Sequence, residues 1–399
     1  MTSPPVRSLD ALLATREIVV FCGSGGVGKT SVAAATALGA ASRQGGRVLV
    51  ITVDPAKRLA SALGLGEIGN FARRVPEDAF KAAGLEAHGE LYALMLDTKQ
   101  SWDELVMRHA PDEETAMKIL ENRLYHNLTA RFVQSHDYIA VERLYELHAG
   151  GDYDLIVVDT PPSRNAIDFL DAPQRMAEFF GGRLLRMLTL PYRMGGRRGA
   201  RVINVASRPF YTIADRLLGS QLLQDIAEFF LLFQTMYAGF VERSQAVERL
   251  LKDRRTTFVV VTTLEAAPLR EAESFIDELD QRKFHLGALV LNKTLPGYFL
   301  DRNAMAAADV LQNEAPAVAA DLGGVVEATA EPLTRVLRTV AASFHNFGLI
   351  ANREAELRTE LAEAPDVTVD VPDLEGDVHD LRGLARIADR LFEESPQGS

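Results

Sequence analysis

Cysteine occurs once in the 399 residues, as Cys22. A lone cysteine can form neither an internal disulfide nor a cysteine-built zinc site; beside a glycine loop it reads as a small buried residue and not a redox group. Long apolar runs are also missing. No uncharged stretch reaches the ~20 residues a membrane-spanning helix needs, and the nearest approach, residues 229–241, is short and carries Gln234. Positive charge is in deficit, with 43 Lys and Arg against 55 Asp and Glu and a net charge of −12. That balance argues against a general nucleic-acid binder. Residues 1–8 lack the apolar core of a secretory signal. These absences set the expectation of a cytoplasmic protein, with a peripheral place at a membrane left open. The length allows one large α/β domain with an insertion, or two domains.

What is present begins at residue 23. Gly23-Ser24-Gly25-Gly26-Val27-Gly28-Lys29-Thr30 follows the apolar run Ile18 to Phe21 and precedes an alanine-rich stretch from Ser31 to Arg43. Strand, glycine loop and helix in that order are the setting of a phosphate-binding loop. Glycines let backbone N–H groups curl around a phosphate, and the helix N-terminus adds its positive dipole end. The expected nucleotide contacts are Gly25, Gly26, Val27, Gly28, Lys29, Thr30 and Ser31. Lys29 would bridge the β- and γ-phosphates, and the Thr30 hydroxyl would ligate Mg²⁺.

Continuous apolar runs recur at 47–53, 154–159, 257–262, 286–291 and 367–371, and a helix is expected over 381–392. Runs of this kind mark buried parallel strands. Their alternation with helices predicts an α/β fold, a doubly wound and mainly parallel sheet with an α-helical subdomain inserted, and ligands at the strand carboxyl ends. The expected division is a nucleotide-binding core over 1–97, a helical insertion over 98–150, core again over 151–170, a helical subdomain over 171–252 and the rest of the core over 253–399.

Two carboxylates fall at strand ends. Asp159, followed by Thr160-Pro161-Pro162, can hold Mg²⁺ directly or through water. Asp54, in Val53-Asp54-Pro55-Ala56, sits where it could orient or deprotonate an attacking water; a helix cap is its other reading. Base choice follows from an absence. Asn292-Lys293 after a strand matches the start of a guanine-reading motif, which needs a carboxylate two places on, and Leu295 stands there. ATP is therefore expected over GTP, with Asn292 meeting the adenine edge or stacking with Lys293 over the ring.

Taken together, the phosphate loop, Asp54-Pro55-Ala56, Asp159-Thr160-Pro161-Pro162 and Asn292, with helical insertions between, resemble the ArsA-type ATPases over most of the chain. That family includes the arsenical-pump ATPase and the ATPase that delivers tail-anchored membrane proteins. The resemblance implies a dimer that holds ATP between its subunits, closes on ATP and opens after hydrolysis. It also implies Asp54 as the water-activating residue of a first switch, Asp159 as the start of a second, Glu265 as a nucleotide contact, and the segment from Pro372 as a cover for adenine. Three departures matter. The cysteines of the arsenical branch are absent, so no arsenite site is expected. The Cys-X-X-Cys pair of the tail-anchor branch is absent too, so no shared zinc is expected. The family's loop normally begins Gly-Lys-Gly-Gly, with a lysine that reaches the partner's nucleotide, and Ser24 stands in its place.

The second helical segment is distinctive. Residues 181–213 carry seven arginines and no acidic residue, interleaved with leucine and methionine, and residues 229–240 are denser in apolar side chains than one helix face needs. A groove for an apolar client helix and a plain bundle core are both open readings. Two functional classes follow. One is an Mg-ATP-dependent dimeric switch that handles a hydrophobic or membrane-associated client. The other is a weakly hydrolysing regulatory subunit, paired with a lysine-bearing paralogue whose site it completes. Nitrogenase-type iron chemistry needs interface cysteines and is excluded.

Overall fold

The computed structural model describes residues 8–53, 58–66, 68–131, 133–160, 220–322, 329–361, 367–374, 376 and 378–393, with short pieces at 171–172, 174–175, 178 and 365. Asp54, Pro55, Pro161, Pro162 and the arginine-rich stretch 181–213 lie outside the described residues.

Eight strands form one sheet: β1 (Ile18–Cys22), β2 (Gly46–Thr52), β3 (Arg73–Arg74), β4 (Gly89–Met95), β5 (Leu155–Asp159), β6 (Thr256–Thr262), β7 (Leu286–Thr294) and β8 (Val367–Pro372). Their spatial order is β3-β4-β2-β5-β1-β6-β7-β8. Every pairing is parallel except β3 on β4, at one edge. The apolar runs read from the sequence each became a strand, because a parallel strand covered on both faces has no solvent side to keep polar. β1, β5 and β6 are buried at every position.

Alternation along the strands feeds two cores. Val19, Phe21, Val48, Val50, Val157, Val259 and Val290 pack on one face against the helices Lys29–Arg43 and Leu381–Phe392. These two helices meet closely. A Cβ on Gly39 would lie 2.3 Å from the Phe392 ring, so only glycine fits there. Ile18, Val20, Ile51, Ile156, Val158 and Val260 face the other way, toward a helical layer.

That layer contains Thr98–His109, Glu113–Glu121, Arg123–Arg131, Val133–Gly150, Ser220–Phe233 and Tyr237–Leu251. Its centre is aromatic. Trp102 stacks on Tyr138 at 5.6 Å between ring centroids and Phe233 on Phe240 at 5.1 Å. Phe229, Phe233, Met236 and Phe240 are all buried. The apolar density at 229–240 is therefore core in this state, which favours the bundle reading for those residues.

The same layer encloses a charged network. Glu142 is 1% exposed and pairs with Arg243, while the Tyr138 hydroxyl donates to its other oxygen at 2.8 Å. Arg243 also donates to His109 Nδ1 at 3.3 Å and lies over the Phe240 ring.

Among the described residues, no helix is long and apolar enough to cross a membrane.

Candidate nucleotide-binding site

The site is built where β1, β2 and β5 end. After Cys22 the backbone turns through Gly23 to Gly28, and a 15-residue helix starts at Lys29. Gly26 and Gly28 have φ of 85° and 87°, in the left-handed region that side chains disfavour. At Gly28 the demand is doubled, because an added Cβ would lie 2.3 Å from Asn292 Nδ2. The loop thus presents backbone N–H groups at a helix N-terminus, the geometry that receives an anion.

Side chains from two other strand ends hold this loop. Asn292 Nδ2 donates to the Val27 carbonyl at 2.7 Å, and Lys293 Nζ donates to the Gly26 carbonyl at 3.2 Å. Lys293 itself sits at φ 58°, a conformation uncommon outside glycine, asparagine and aspartate. On the other side the Thr160 hydroxyl donates to the Phe21 carbonyl at 2.8 Å, and Thr52 Oγ1 donates to Asp159 Oδ2 at 2.9 Å. Asp159 is fully buried. Lys29 is 6% exposed and its Nζ donates to the Gly23 carbonyl at 3.3 Å.

These groups border a cleft of about 730 Å³. Its floor is the loop itself: Ser24, Gly25, Gly26, Gly28, Lys29, Thr30 and Ser31. Asn292, Lys293 and Thr160 flank it, and Pro372, Leu374, Val378 and His379 close the far end with Leu59. A volume of this size suits a nucleotide-sized ligand. The residues fit the phosphates of such a ligand on structural grounds: a glycine cradle, a buried lysine at its base, and a hydroxyl at the first turn of the helix.

Not every residue anticipated for the site lines the cleft. Val27 turns its side chain into the core and offers only backbone to the site. Glu265 is exposed at the N-cap of the Ala266–Gln281 helix and is not among the described lining residues. Asp159 stands behind Thr160, one residue back from the wall. Asp54 lies outside the described residues. Ser24 lines the cleft with its Oγ buried, and among the described residues no group hydrogen-bonds to that oxygen.

Thr52 and Thr160 escaped the sequence reading. A threonine at a strand end carries no motif signal, and only the pairing of β2 with β5 brings Thr52 level with Asp159. His379 was missed because it lies in the connection after β8, where no local pattern ties it to the cleft. Cys22 is buried beside this site, and burial pushes its thiol up to about 12 against the opposing pull of the Lys29 ammonium.

The model of the family described as Anion-transporting ATPase matches residues 16–314, three quarters of the chain. The chain belongs to the ArsA-type ATPase family. The matched region includes the phosphate loop, Asp159 and Asn292, and the α/β fold is consistent with that family. Among relatives, an uncharacterized protein of Streptomyces coelicolor is 29% identical over 70% of this chain and 62% of its own length. The ATPase GET3 of Podospora anserina is 24% identical over 72% of this chain and 76% of its own length. An arsenical pump-driving ATPase of Acidiphilium multivorum is 26% identical over 84% of this chain and 49% of its own length. The aligned region thus spans less than two thirds of the first and the last of these proteins.

A second cluster of titratable groups lies in the helical layer. His109, Glu142 and Glu146 bring one ligand atom each within 4.8 Å of one another. Arg243 already pairs with Glu142, and Arg108 and Arg143 with Glu146. The guanidiniums supply the counter-charge that a cation would otherwise bring.

Proposed function

We propose that this chain binds Mg-ATP in the phosphate-loop cleft and hydrolyses it, acting as a dimeric switch that handles a hydrophobic or membrane-associated client. The observation that carries the nucleotide part is Lys29. Its ammonium is buried beside the glycine loop, where it donates to the Gly23 carbonyl and where Gly26 and Gly28 take left-handed conformations. A phosphate is a stronger partner for an ammonium than a neutral carbonyl, and a glycine loop at a helix N-terminus is the setting that receives one. Thr30 and Asp159 would hold Mg²⁺, which when bound neutralises charge on the β- and γ-phosphates. Asp54 is assigned the orientation of the attacking water. For the base, one N–H of Asn292 is committed to Val27, which leaves its carbonyl oxygen to accept from the adenine amine. Leu295 offers guanine no carboxylate. The client part is supported by the family and by what relatives are named for, an arsenical pump-driving ATPase and GET3.

The test separates binding from chemistry. Lys29→Ala should weaken binding of a labelled ATP analogue by roughly 100-fold, the scale of a lost charged hydrogen-bonding group. Asp54→Asn should leave that binding nearly intact and lower kcat. Equal binding by wild type and Lys29→Ala would reject the site, and an unchanged kcat in Asp54→Asn would reject the role of Asp54.

Ser24 favours a second reading. Its hydroxyl stands in the place of the family's lysine, so two copies of this chain would offer no cation across a shared nucleotide. Absence of one preorganised donor at a charge-developing site costs about 3–4 kcal/mol in the barrier, a rate loss of roughly 10² to 10³. On this reading the chain is a weak ATPase alone and pairs with a lysine-bearing paralogue. Ser24→Lys should then raise the activity of the isolated protein, and brisk turnover by wild type that this substitution leaves unchanged would count against it.

A further inference from the structure

Among the described residues, two that are not glycine hold a left-handed backbone, Lys283 at φ 61° and Lys293 at φ 58°. The first is a helix ending. Lys283 follows Arg282, the C-cap of the Ala266–Gln281 helix. Its N–H donates to the Asp280 carbonyl, and the Phe284 N–H donates to the Leu279 carbonyl, both at 2.9 Å. One left-handed residue within that pair of bonds is a common way to stop a helix. Lys293 has no helix to stop, because it stands inside β7.

At Lys293 the strand leaves its register. Asn292 is level with Val371 of β8 and Thr294 with Pro372, so β7 advances two residues where β8 advances one. The extra residue is Lys293, and a bulge of this kind re-aims the side chain it carries. The chain is tied on both sides of it. Asn292 donates to the Val27 carbonyl, and the Thr294 carbonyl accepts from the Asp373 N–H at 2.9 Å. Beyond them the Leu295 N–H donates at 2.9 Å to Glu354, on the helix Ala330–Leu361. A backbone that lysine disfavours persists where its neighbours over-determine it, and such conformations gather where ligands are held.

What the bulge sets is the path of the side chain. Lys293 borders the cleft, and its Nζ reaches the Gly26 carbonyl of the glycine loop at 3.2 Å. Pro372, Leu374 and Val378 stand at the far end of the same cleft. A ligand with phosphates in the loop and a ring against Pro372 and Leu374 has to pass beside this stem. We propose that Lys293 is a nucleoside clamp, its stem covering the sugar and one face of the base while its ammonium stays on the loop carbonyl. The proposal rests on the reading of the cleft as a nucleotide site. The methylenes give apolar cover, and an ammonium near a ring adds attraction to its π-system. Both purines present such a face, so the clamp adds affinity without choosing the base. Anchored on Gly26, the stem is in place before the ligand arrives, which lowers the cost of ordering it.

The test uses the full chain with Mg²⁺ and compares a labelled ATP analogue, its GTP counterpart and inorganic tripolyphosphate, which has no nucleoside. In Lys293→Asn the new residue tolerates left-handed backbone, so the bulge is kept and the stem is lost. That variant should bind the ATP analogue about tenfold more weakly, the scale of a lost cation–ring contact. The GTP analogue should weaken by the same factor, and tripolyphosphate by less than about twofold. Without nucleotide the variant should unfold at the wild-type temperature or above it, because the strain of a left-handed lysine is relieved. Unchanged affinity for the ATP analogue would overturn the proposal. An equal loss for tripolyphosphate would also overturn it, by making Lys293 a phosphate ligand, and lower stability with affinity intact would make it a structural tie. Wild type that binds tripolyphosphate as tightly as the ATP analogue would remove the nucleoside clamp alone. Wild type that binds neither would reject the nucleotide reading with it.

Discussion

The cleft at the strand ends and the network in the helical layer use the same chemistry to opposite ends. Each buries a cation and a carboxylate, Lys29 and Asp159 on either side of Cys22's charge balance in one and Arg243 paired with Glu142 in the other. In the helical layer the partners close on each other. Burial raises Glu142 above the usual carboxylate range while Arg243 and the Tyr138 hydroxyl pull it back, so the charge is answered within the fold. At the cleft, Asp159 is answered by Thr52 from behind, and Lys29 is turned onto a neutral carbonyl at the lip of an open space. A closed network specifies how helices pack. A network that borders an open cleft specifies what may enter.

The comparison can be broken first on its closed side. Arg243→Met should cost about 3–5 kcal/mol, because Glu142 would be left buried without its counter-charge. Chemical denaturation reads this, and the affinity of the folded variant for an ATP analogue should stay within about threefold. A variant as stable as wild type would show that the Glu142 carboxyl is neutral or hydrated in the native state.

On the open side the effects move from stability to affinity. Asn292→Ala removes the tie to the Val27 carbonyl and should cost about 1 kcal/mol in stability. Nucleotide affinity should fall with it, since the loop loses the contact that fixes its height over the cleft. If affinity is untouched, the loop is rigid without Asn292.

A smaller effect concerns pH. Burial and the Arg243 guanidinium hold His109 below its ordinary range. A base whose folded pKa is depressed contributes stability that is present above its unfolded value, near 6.5, and lost as pH falls toward the folded one. His109→Gln should therefore flatten the fall in stability below about pH 6.5; an identical pH profile would mean that other groups set the slope.

The smallest expected signal is at Cys22. With its thiol pushed up to about 12, it should not react with a disulfide reagent at neutral pH in the folded chain, and one thiol should titrate after unfolding. Reaction in the native state would show that the floor of the cleft opens.

How much of this could be read beforehand depended on what the residues had to satisfy. Valine- and isoleucine-rich runs could only be buried strands, so β1, β2, β5, β6 and β8 were legible within a residue or two, and β7 ran three residues past its expected end. β4 was not, because Gly-Glu-Leu-Tyr-Ala-Leu-Met mixes partly exposed with buried positions near the sheet edge. The phosphate loop was legible because its glycines have a conformational reason. Asn292 was found, but for a base contact; that its amide also holds Val27 depends on β7 ending beside the loop, which no local pattern reveals. The helices between β7 and β8 were not anticipated, since the fully buried apolar side chains among their described residues are alanines, which carry little periodic signal.

The contact between Gly39 and Phe392 has a consequence for synthesis. The helix that starts at Lys29 is buried along much of its length by the helix Leu381–Phe392. Its seat therefore stays open until a ribosome has made about 350 more residues, roughly 20–70 s at ordinary elongation rates. Throughout that interval the alanine face of the phosphate-loop helix has no cover, and the nascent chain offers it to whatever binds exposed apolar surface. The phosphate loop precedes its supporting helix by about 350 residues of synthesis.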